Sequence, residues 1–569
     1  MPTDAFEPYS AKANSYFRLV EAVPLQPSIR LSRRHFVGGS ALATGAFAIH
    51  ARGQDTLSTD PPASPATIPW LQRLPFARHA APLPSWAALD PLPIPAAHQR
   101  YDEFAPVKFF NMNVGESLSR PHPQLAASVM TSYQGSVPGV TFMCRYGEPV
   151  LCRINNCLPN VVQGFGSSDI ITHVHNGHHA SESDGWPGDW FSPGQFKDHH
   201  WPNIYAGGDY LEAKGTLWYH DHRMDYTAQN TYRGLSGFFL LFDFLDSGDE
   251  NDPSSDALRL PSGVPDGDRI ENCYDIPLVF TDRRYDRNGY LSMDVMNMDG
   301  VLGDKNLVNG AVQPYFEVER RKYRFRFLAG GPSRFLQLFL SNGMTFQHIA
   351  NDGNLLPAPL ETDSVHLGVS ERADIVIDFS NVPESTRELY LVNRLEQTNP
   401  RTPETELLPL NQAAQLLKFI LKPATATDHS RVPNILRPLP AMDTPVVRTR
   451  EWDFDRTNGM WTVNGRLFDH NRIDAYIKRG TAEIWRIRTA GGWSHPVHIH
   501  VEEQRVLSYN GRPVTSGPLF ARKDVFTLRQ GDEMELYVRF RDWLGRYPMH
   551  CHNTVHEDHA MMVRLELVP

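Results

Sequence analysis

At 569 residues, with 45 prolines, 40 glycines and 11% aromatic residues, the chain exceeds one ordinary domain and has the composition of loop-rich β structure. Its net charge of -10 and the lack of a dense basic tract exclude a general nucleic-acid binder. No apolar run reaches the roughly 18 residues of a bilayer-spanning helix, so no transmembrane segment is expected in the mature form.

The first element is "SRRHFVGGSALATGAFAIHA", from Ser32 to Ala51. Paired arginines, Phe36, a short uncharged run of small and apolar residues and a small-residue end predict a twin-arginine-type export signal over residues 1–51. Such a signal implies the twin-arginine export machinery as a partner and a periplasmic or extracellular destination. A surface arginine pair ahead of a buried helix is the plainer alternative, and the 31 residues before the motif are long for a signal.

A Pro/Ala-rich stretch from Asp60 to Ala97 lacks periodicity and reads as a linker draped over the first domain, with residues 52–90 assigned to it. Beyond it, segments such as "VTFMCRYGEPVLCRINN" from Val140 alternate apolar and polar positions between turns, as half-buried strands do. A diverged repeat follows. "LVNGAVQPYFEVERRKYRFRFLAGG" from Leu307 and "TVNGRLFDHNRIDAYIKRGTAEIWRIRTAGG" from Thr462 share an Asn-Gly turn, a short interval and an alternating strand, and "GEPVLCRINNCLP" with "ITHVHNGH" reads as the first copy. The expectation is an all-β protein of three Greek-key β-sandwich domains at 91–246, 247–425 and 426–569. The middle domain has no His-X-His unit and carries only His348, in "FQHIAND", and His366.

Four His-X-His units stand out: His173 and His175, His220 and His222, His498 and His500, His550 and His552. From 24 histidines chance gives about one such unit. Residues i and i+2 of a strand share a face, so each unit aims two imidazoles at one place. Eight imidazoles exceed the needs of one zinc ion and suit several metals, copper among them. In "HCHNTVHEDHAMM" from His550, Cys551 points to the face opposite its flanking histidines. Cys551 with His495, His556 and a weak axial methionine makes a blue-copper ligand set, and Met561 is the better axial candidate than Met562. A single His-X-His pair is ordinarily a surface or core pair, and a Cys-His-Met cluster alone is a plain electron-transfer site. Four pairs together with the cysteine are not explained that way. Zinc would prefer a closed set of four Cys and His ligands at CxxC or HxxxH spacing, and no such closed set is present.

Taken together, "HVHNGHHASESDGWPGDW" from His173, "TLWYHDHRMDYTAQNTYRG" from Thr216, "WSHPVHIH" from Trp493 and the closing motif resemble the three-domain multicopper oxidases, laccase-like enzymes of cupredoxin fold. Within them the chain looks most like the bilirubin oxidase and spore-coat laccase branch. Trp493, two positions before His495, leans toward the former. The resemblance implies four copper ions: one type 1, held by His495, Cys551, His556 and Met561; one type 2, on His173 and His498; and two type 3, on His175, His220, His222, His500, His550 and His552. It implies proton delivery by Asp184 and Glu557, whose plainer reading is ordinary turn and strand-end carboxylates. It also implies electron entry at an exposed edge of His495 or His556, transfer through Cys551 to its flanking histidines, and reduction of dioxygen to water between domains 1 and 3. His178, His179, His199, His200 and His559 match no ligand position and are expected at the surface or behind the ligands.

The expected reductant is a small organic molecule, a phenol, aromatic amine or tetrapyrrole. A Cu(I) or Mn(II) oxidase and a non-catalytic copper-binding protein are the rivals. Met293, Met296 and Met298 form the only methionine cluster and read as core and turn. Cys144, Cys152, Cys157 and Cys273 allow zero, one or two disulfides.

Overall fold

The computed structural model describes residues 62–490 and 492–569. The expected export signal and the start of the expected linker lie outside them. Among the described residues no helix is long and apolar enough to cross a membrane.

Six sheets pair into three β-sandwiches of cupredoxin type. In the first, the order 128–133, 108–119, 150–156, 196–201 faces the order 139–145, 236–242, 216–221, 172–175. The second packs an eight-stranded sheet against a five-stranded one between residues 275 and 422, and the third a seven-stranded against a five-stranded one between 446 and 568. One Greek-key wiring recurs. Strand Lys108–Ser119 runs parallel to Val150–Asn156, Asp275–Tyr285 to Lys322–Ala329, and Val446–Thr457 to Ala482–Thr489. Each sandwich encloses its own apolar core, built around Phe142 and Tyr219, Phe325 and Phe419, and Trp485 and Val497.

The Asn-Gly turns of the repeat are real and have a physical reason. Asn309-Gly310 and Asn464-Gly465 have positive φ at both positions, the conformation of a two-residue hairpin that matches strand twist. The first copy carries its counterpart at Gln134-Gly135, closed by the Tyr133–Ser136 bridge, which lies ahead of the segment the sequence reading chose.

The Pro/Ala-rich stretch covers more than the first sandwich. It bridges Thr141 of the first through His79, but also Tyr315 of the second through Arg73. Both partners lie on sheet edges, whose unpaired amides accept an extended proline-rich chain, as where Leu74 N–H donates to the Tyr315 carbonyl at 2.7 Å.

Two short helices among the described residues serve the junction of the first and third sandwiches. Asp558, at the end of helix Thr554–Asp558, accepts the N–H groups of Thr227 and Ala228 at 2.8 and 2.9 Å and so caps helix Thr227–Tyr232. Helix Thr554–Asp558 is thereby locked to the first sandwich, and with it His556 and Glu557.

Candidate metal centre

Strand pairing explains how four His-X-His units reach one place. In the first sandwich, strand Thr172–His175 lies antiparallel to Thr216–Asp221 with His173 opposite His220. In the third, His495–Ile499 lies antiparallel to Gly545–Cys551 with His498 opposite His550. His222, His500 and His552 follow the ends of their strands. Each pair of neighbouring strands therefore presents four imidazoles, and the two sets face each other. His175 stacks on His498 with ring centres 3.7 Å apart, and His173 on His500 at 4.0 Å. All eight are at most 1% exposed.

The ring nitrogens are divided between anchoring and a common interior. Nδ1 of His173, His220 and His498 bonds the backbone carbonyls of Asp184, Asp221 and Asp524 at 2.5, 2.9 and 2.9 Å, while each Nε2 is buried without a partner. The Nε2 atoms of His222 and His500 each lie 3.2 Å from Nε2 of His550. Nitrogens about 2.0 Å from a shared ion at a tetrahedral angle stand about 3.3 Å apart, so this convergence is the spacing a metal demands. Burial holds His220 at about 3 and His222 at about 4, the neutral, ligating form. His173, His500 and His498 also form a compact donor group. The buried donors fit copper bound by imidazole.

Carboxylates stand behind these rings. Asp184 Oδ2 accepts from His500 Nδ1 at 2.7 Å, and Oδ1 lies 3.6 Å from His173 and 3.5 Å from His179. Gly185, at φ +86, lets this turn lie against His173, where a Cβ would collide with the strand backbone. Glu557 lies 3.5 Å from His222 Nδ1 and 3.2 Å from His550 Nδ1, and takes a hydrogen bond from Thr227 Oγ1 at 3.0 Å. Burial works to raise its carboxyl, but the facing His550 and His222 hold it well below the usual range. A third acid, Asp524, escaped the sequence reading. Its side chain meets His175 Nε2 at 3.1 Å and forms a two-armed pair with Arg372 at 2.9 Å. It arrives through the pairing of Val525–Leu528 with the His495 strand, which no local motif announces.

A second donor set lies on the other face of the "HCH" strand. Cys551 Sγ is 3.4 Å from His495 Nδ1 and 3.7 Å from His556 Nδ1, and the two Nδ1 atoms are 3.3 Å apart. Met561 is fully buried in the same core, its carbonyl accepting Cys551 N–H at 3.1 Å and its N–H donating to His556 at 3.1 Å. Burial pushes the Cys551 thiol well up, so a metal is needed to hold the thiolate there.

Several expectations change. His495 and His556 are both 0% exposed, so neither offers an exposed edge. His556 is roofed by Trp461, stacked at 3.8 Å, and its Nε2 donates to the Asp299 carbonyl at 3.0 Å. His495 keeps its Nε2 unpartnered. Of the two places expected for His178, His179, His199 and His200, the surface and behind the ligands, the structure gives the buried one. His179 backs Asp184, and His199 Nδ1 bonds the Ser183 carbonyl at 3.1 Å. Of the expected core-and-turn methionines, Met293 packs against a buried cluster with Tyr232 and Val301, Met298 is partly buried, and Met296 is 77% exposed on the turn. All five cysteines are free.

Comparison with known proteins agrees with this geometry. Two family models described as multicopper oxidase match residues 118–244 and 441–569. The bilirubin oxidase of Albifimbria verrucaria is 33% identical over 556 residues, spanning 93% of this chain and 88% of that protein. The chain belongs to the multicopper oxidases. The Bacillus subtilis laccase is 29% identical over 537 residues, covering 84% of this chain and 98% of its own. A multicopper oxidase structure from Pediococcus acidilactici shares the fold at 22% identity and a TM-score of 0.69, covering 90% and 94% of the two chains. As a multicopper oxidase, the protein is a copper-dependent oxidoreductase with dioxygen as acceptor, using type 1, type 2 and type 3 copper.

Proposed function

We propose an exported oxidase whose donors are aromatic molecules bearing negative charge, phenolates or propionate-bearing tetrapyrroles above all. One observation carries this: the surface over the Cys551 site is aromatic and cationic. Arg401 and Arg456 lie 4.9 and 5.0 Å from the Trp493 ring centre, and Arg456 lies 4.9 Å from that of Trp461. Asp299 clamps both guanidinium groups, at 3.4 and 2.7 Å. Trp493, only 9% exposed, packs edge-on to Trp461 at 5.1 Å, and Trp461 on His556, so a donor docked at the exposed Arg401 beside Trp493 sits two ring contacts from the ligand set. The similarity to a bilirubin oxidase and to laccases supports the same donor class. The twin-arginine-type stretch at Ser32–Ala51 supports export to the periplasm or beyond.

His495, Cys551, His556 and Met561 would hold type 1 copper, His173 and His498 type 2, and His175, His220, His222, His500, His550 and His552 the type 3 pair. Bound there, copper supplies one-electron oxidation of the donor and four-electron reduction of dioxygen to two waters. The chain's own residues do the rest. Cys551 and its neighbours His550 and His552 join the two donor sets through one strand, with no loop between them. Burial keeps His173, His175, His220, His222, His498, His500 and His552 neutral and excludes bulk water. Asp184 and Glu557 are the groups placed to pass protons beside the rings, and each touches two of the histidines it serves.

Oxidation of a metal ion is the second reading. The segment bearing Met293, Met296 and Met298 reaches the Cys551 site, where Met298 accepts a hydrogen bond from Trp461 Nε1 at 2.8 Å. Dioxygen uptake by the copper-loaded protein, offered bilirubin, a dimethoxyphenol and Cu(I) side by side, separates the two. Turnover of the organic donors, with KM for bilirubin raised about tenfold in Arg456→Gln by loss of one charge contact, supports the first. Oxidation of Cu(I) without organic turnover would establish the second.

A further inference from the structure

Lys214 stands ahead of strand Thr216–Asp221, is 5% exposed, and takes no part in the chemistry described above. A buried ammonium is expected to face a carboxylate. This one faces backbone carbonyls: Nζ donates to Asn176 at 2.8 Å and to Val501 at 3.5 Å. Glu503 and Asp524 act on it only from further away, and burial lowers its pKa to about 8.

The two carbonyls belong to special residues. Asn176 follows His175 in the first sandwich, and Val501 follows His500 in the third. Both have left-handed backbone, φ +67 and +74. Asparagine tolerates that region, whereas a β-branched valine is a steric outlier there and stays only if its surroundings hold it. The Val501 side chain is buried in the third-sandwich core, while its carbonyl is held from the first sandwich, by Lys214 and by His178 Nδ1 at 3.1 Å. The second sandwich closes the same junction, since Glu503 Oε1 accepts from Asn176 Nδ2 at 2.7 Å and from Gly353 N–H at 3.2 Å.

We infer that Lys214 is a positioning residue of the oxidase: its ammonium ties together the carbonyls that follow His175 and His500, and so sets the register between first-sandwich and third-sandwich imidazoles around the copper cluster. Without it, Val501 would relax toward ordinary backbone and carry the His500 ring away from His550 and Asp184. The inference rests on His175 and His500 being copper ligands. An unaltered chain that takes up type 1 copper alone would refute that ligand assignment, not the role of Lys214 within it.

The test is Lys214→Met, which keeps the apolar stem and removes the donors, alone and combined with Val501→Gly, which adopts the left-handed backbone without strain. Copper per chain, the blue absorption of the Cys551 site and the electron-paramagnetic signal of the type 2 ion are read separately during dialysis against a chelator. The expected result is an intact blue site with cluster copper held about 10- to 100-fold more weakly, as when other supports behind metal ligands are removed. The added Val501→Gly should restore part of that loss. Cluster copper held as in the parent would overturn the inference, as would blue and cluster signals falling together with the unfolding temperature. Should Lys214→Met fail to accumulate, recovery of folded, cluster-bearing protein in the double variant supports the inference, and failure of both overturns it.

Discussion

Replacing Asp184 by asparagine or alanine separates two jobs that the geometry assigns to one side chain. Its Oδ2 accepts a hydrogen bond from His500 Nδ1 at 2.7 Å, and its Oδ1 stands within 3.6 Å of His173 and His179. Asparagine keeps an acceptor for His500, so the ring stays oriented and copper content should match the parent. It cannot ionise, and loss of a positioned proton donor costs about 10²- to 10⁴-fold. Alanine removes the orienting bond as well. A hydrogen bond to a charged group contributes about 1.5–3 kcal/mol, and each 1.4 kcal/mol is about tenfold, so cluster copper should also be held about 10- to 100-fold more weakly. The assay is the rate at which the fully reduced protein regains its blue absorption on mixing with dioxygen, which leaves donor binding out of the measurement. An asparagine variant that recovers as fast as the parent, beside an alanine variant that loses copper, would reduce Asp184 to an orienting group and refute its proton role.

Cys551→Ser should abolish the blue absorption and donor oxidation while copper on the histidine cluster remains, as read by copper content and spectrum. Retained blue colour would place the site elsewhere. Arg372→Met leaves the buried Asp524 carboxylate without its two-armed partner, and should cost about 3–5 kcal/mol in denaturant unfolding and weaken the hold on His175. The copper-free chain should lose stability on acidification. Burial lowers His220 and His495 from 6.5 to about 3 and His222 to about 4, so the unfolded chain takes up protons first. Stability from these groups is full above about pH 6.5 and falls as pH drops toward 4, by up to about 1.4 kcal/mol per unit for each histidine. An unfolding midpoint that stays flat over that window would contradict the buried, neutral rings.

What the sequence shows and what it hides follow from the range over which each signal acts. His173 and His175, or His550 and His552, share a face because a strand alternates, and that alternation is written into adjacent letters. The same rule put Cys551 on the opposite face and so indicated two centres before any coordinate. Asn309-Gly310 was legible because its turn requires positive φ, whereas Gln134-Gly135 makes the same turn with a residue that does not advertise it. For histidines 178, 179, 199 and 200 the sequence left open the surface and a place behind the ligands, and only packing decides for the buried place: His178 meets Val501 of the third sandwich, whereas His199 and His200 bond Ser183, Gln99 and Phe104. Asp524, Trp461 and Asp299 reach their histidines from other elements, across sheet pairing and between sandwiches.

The proposed donor surface is the extreme case of this limit. It is assembled from Met298 and Asp299, Arg401, Arg456 with Trp461, and Trp493, separate segments contributed by two sandwiches. The ligands must lie within bonding distance of an ion, which confines them to a few strands and gives them a spacing. A donor need only approach the outermost ring, so the residues proposed to meet it come from separate segments with no shared spacing rule. The chemistry of this oxidase is therefore announced by its histidine and cysteine motifs, whereas the proposed donor surface forms only where segments of two sandwiches meet.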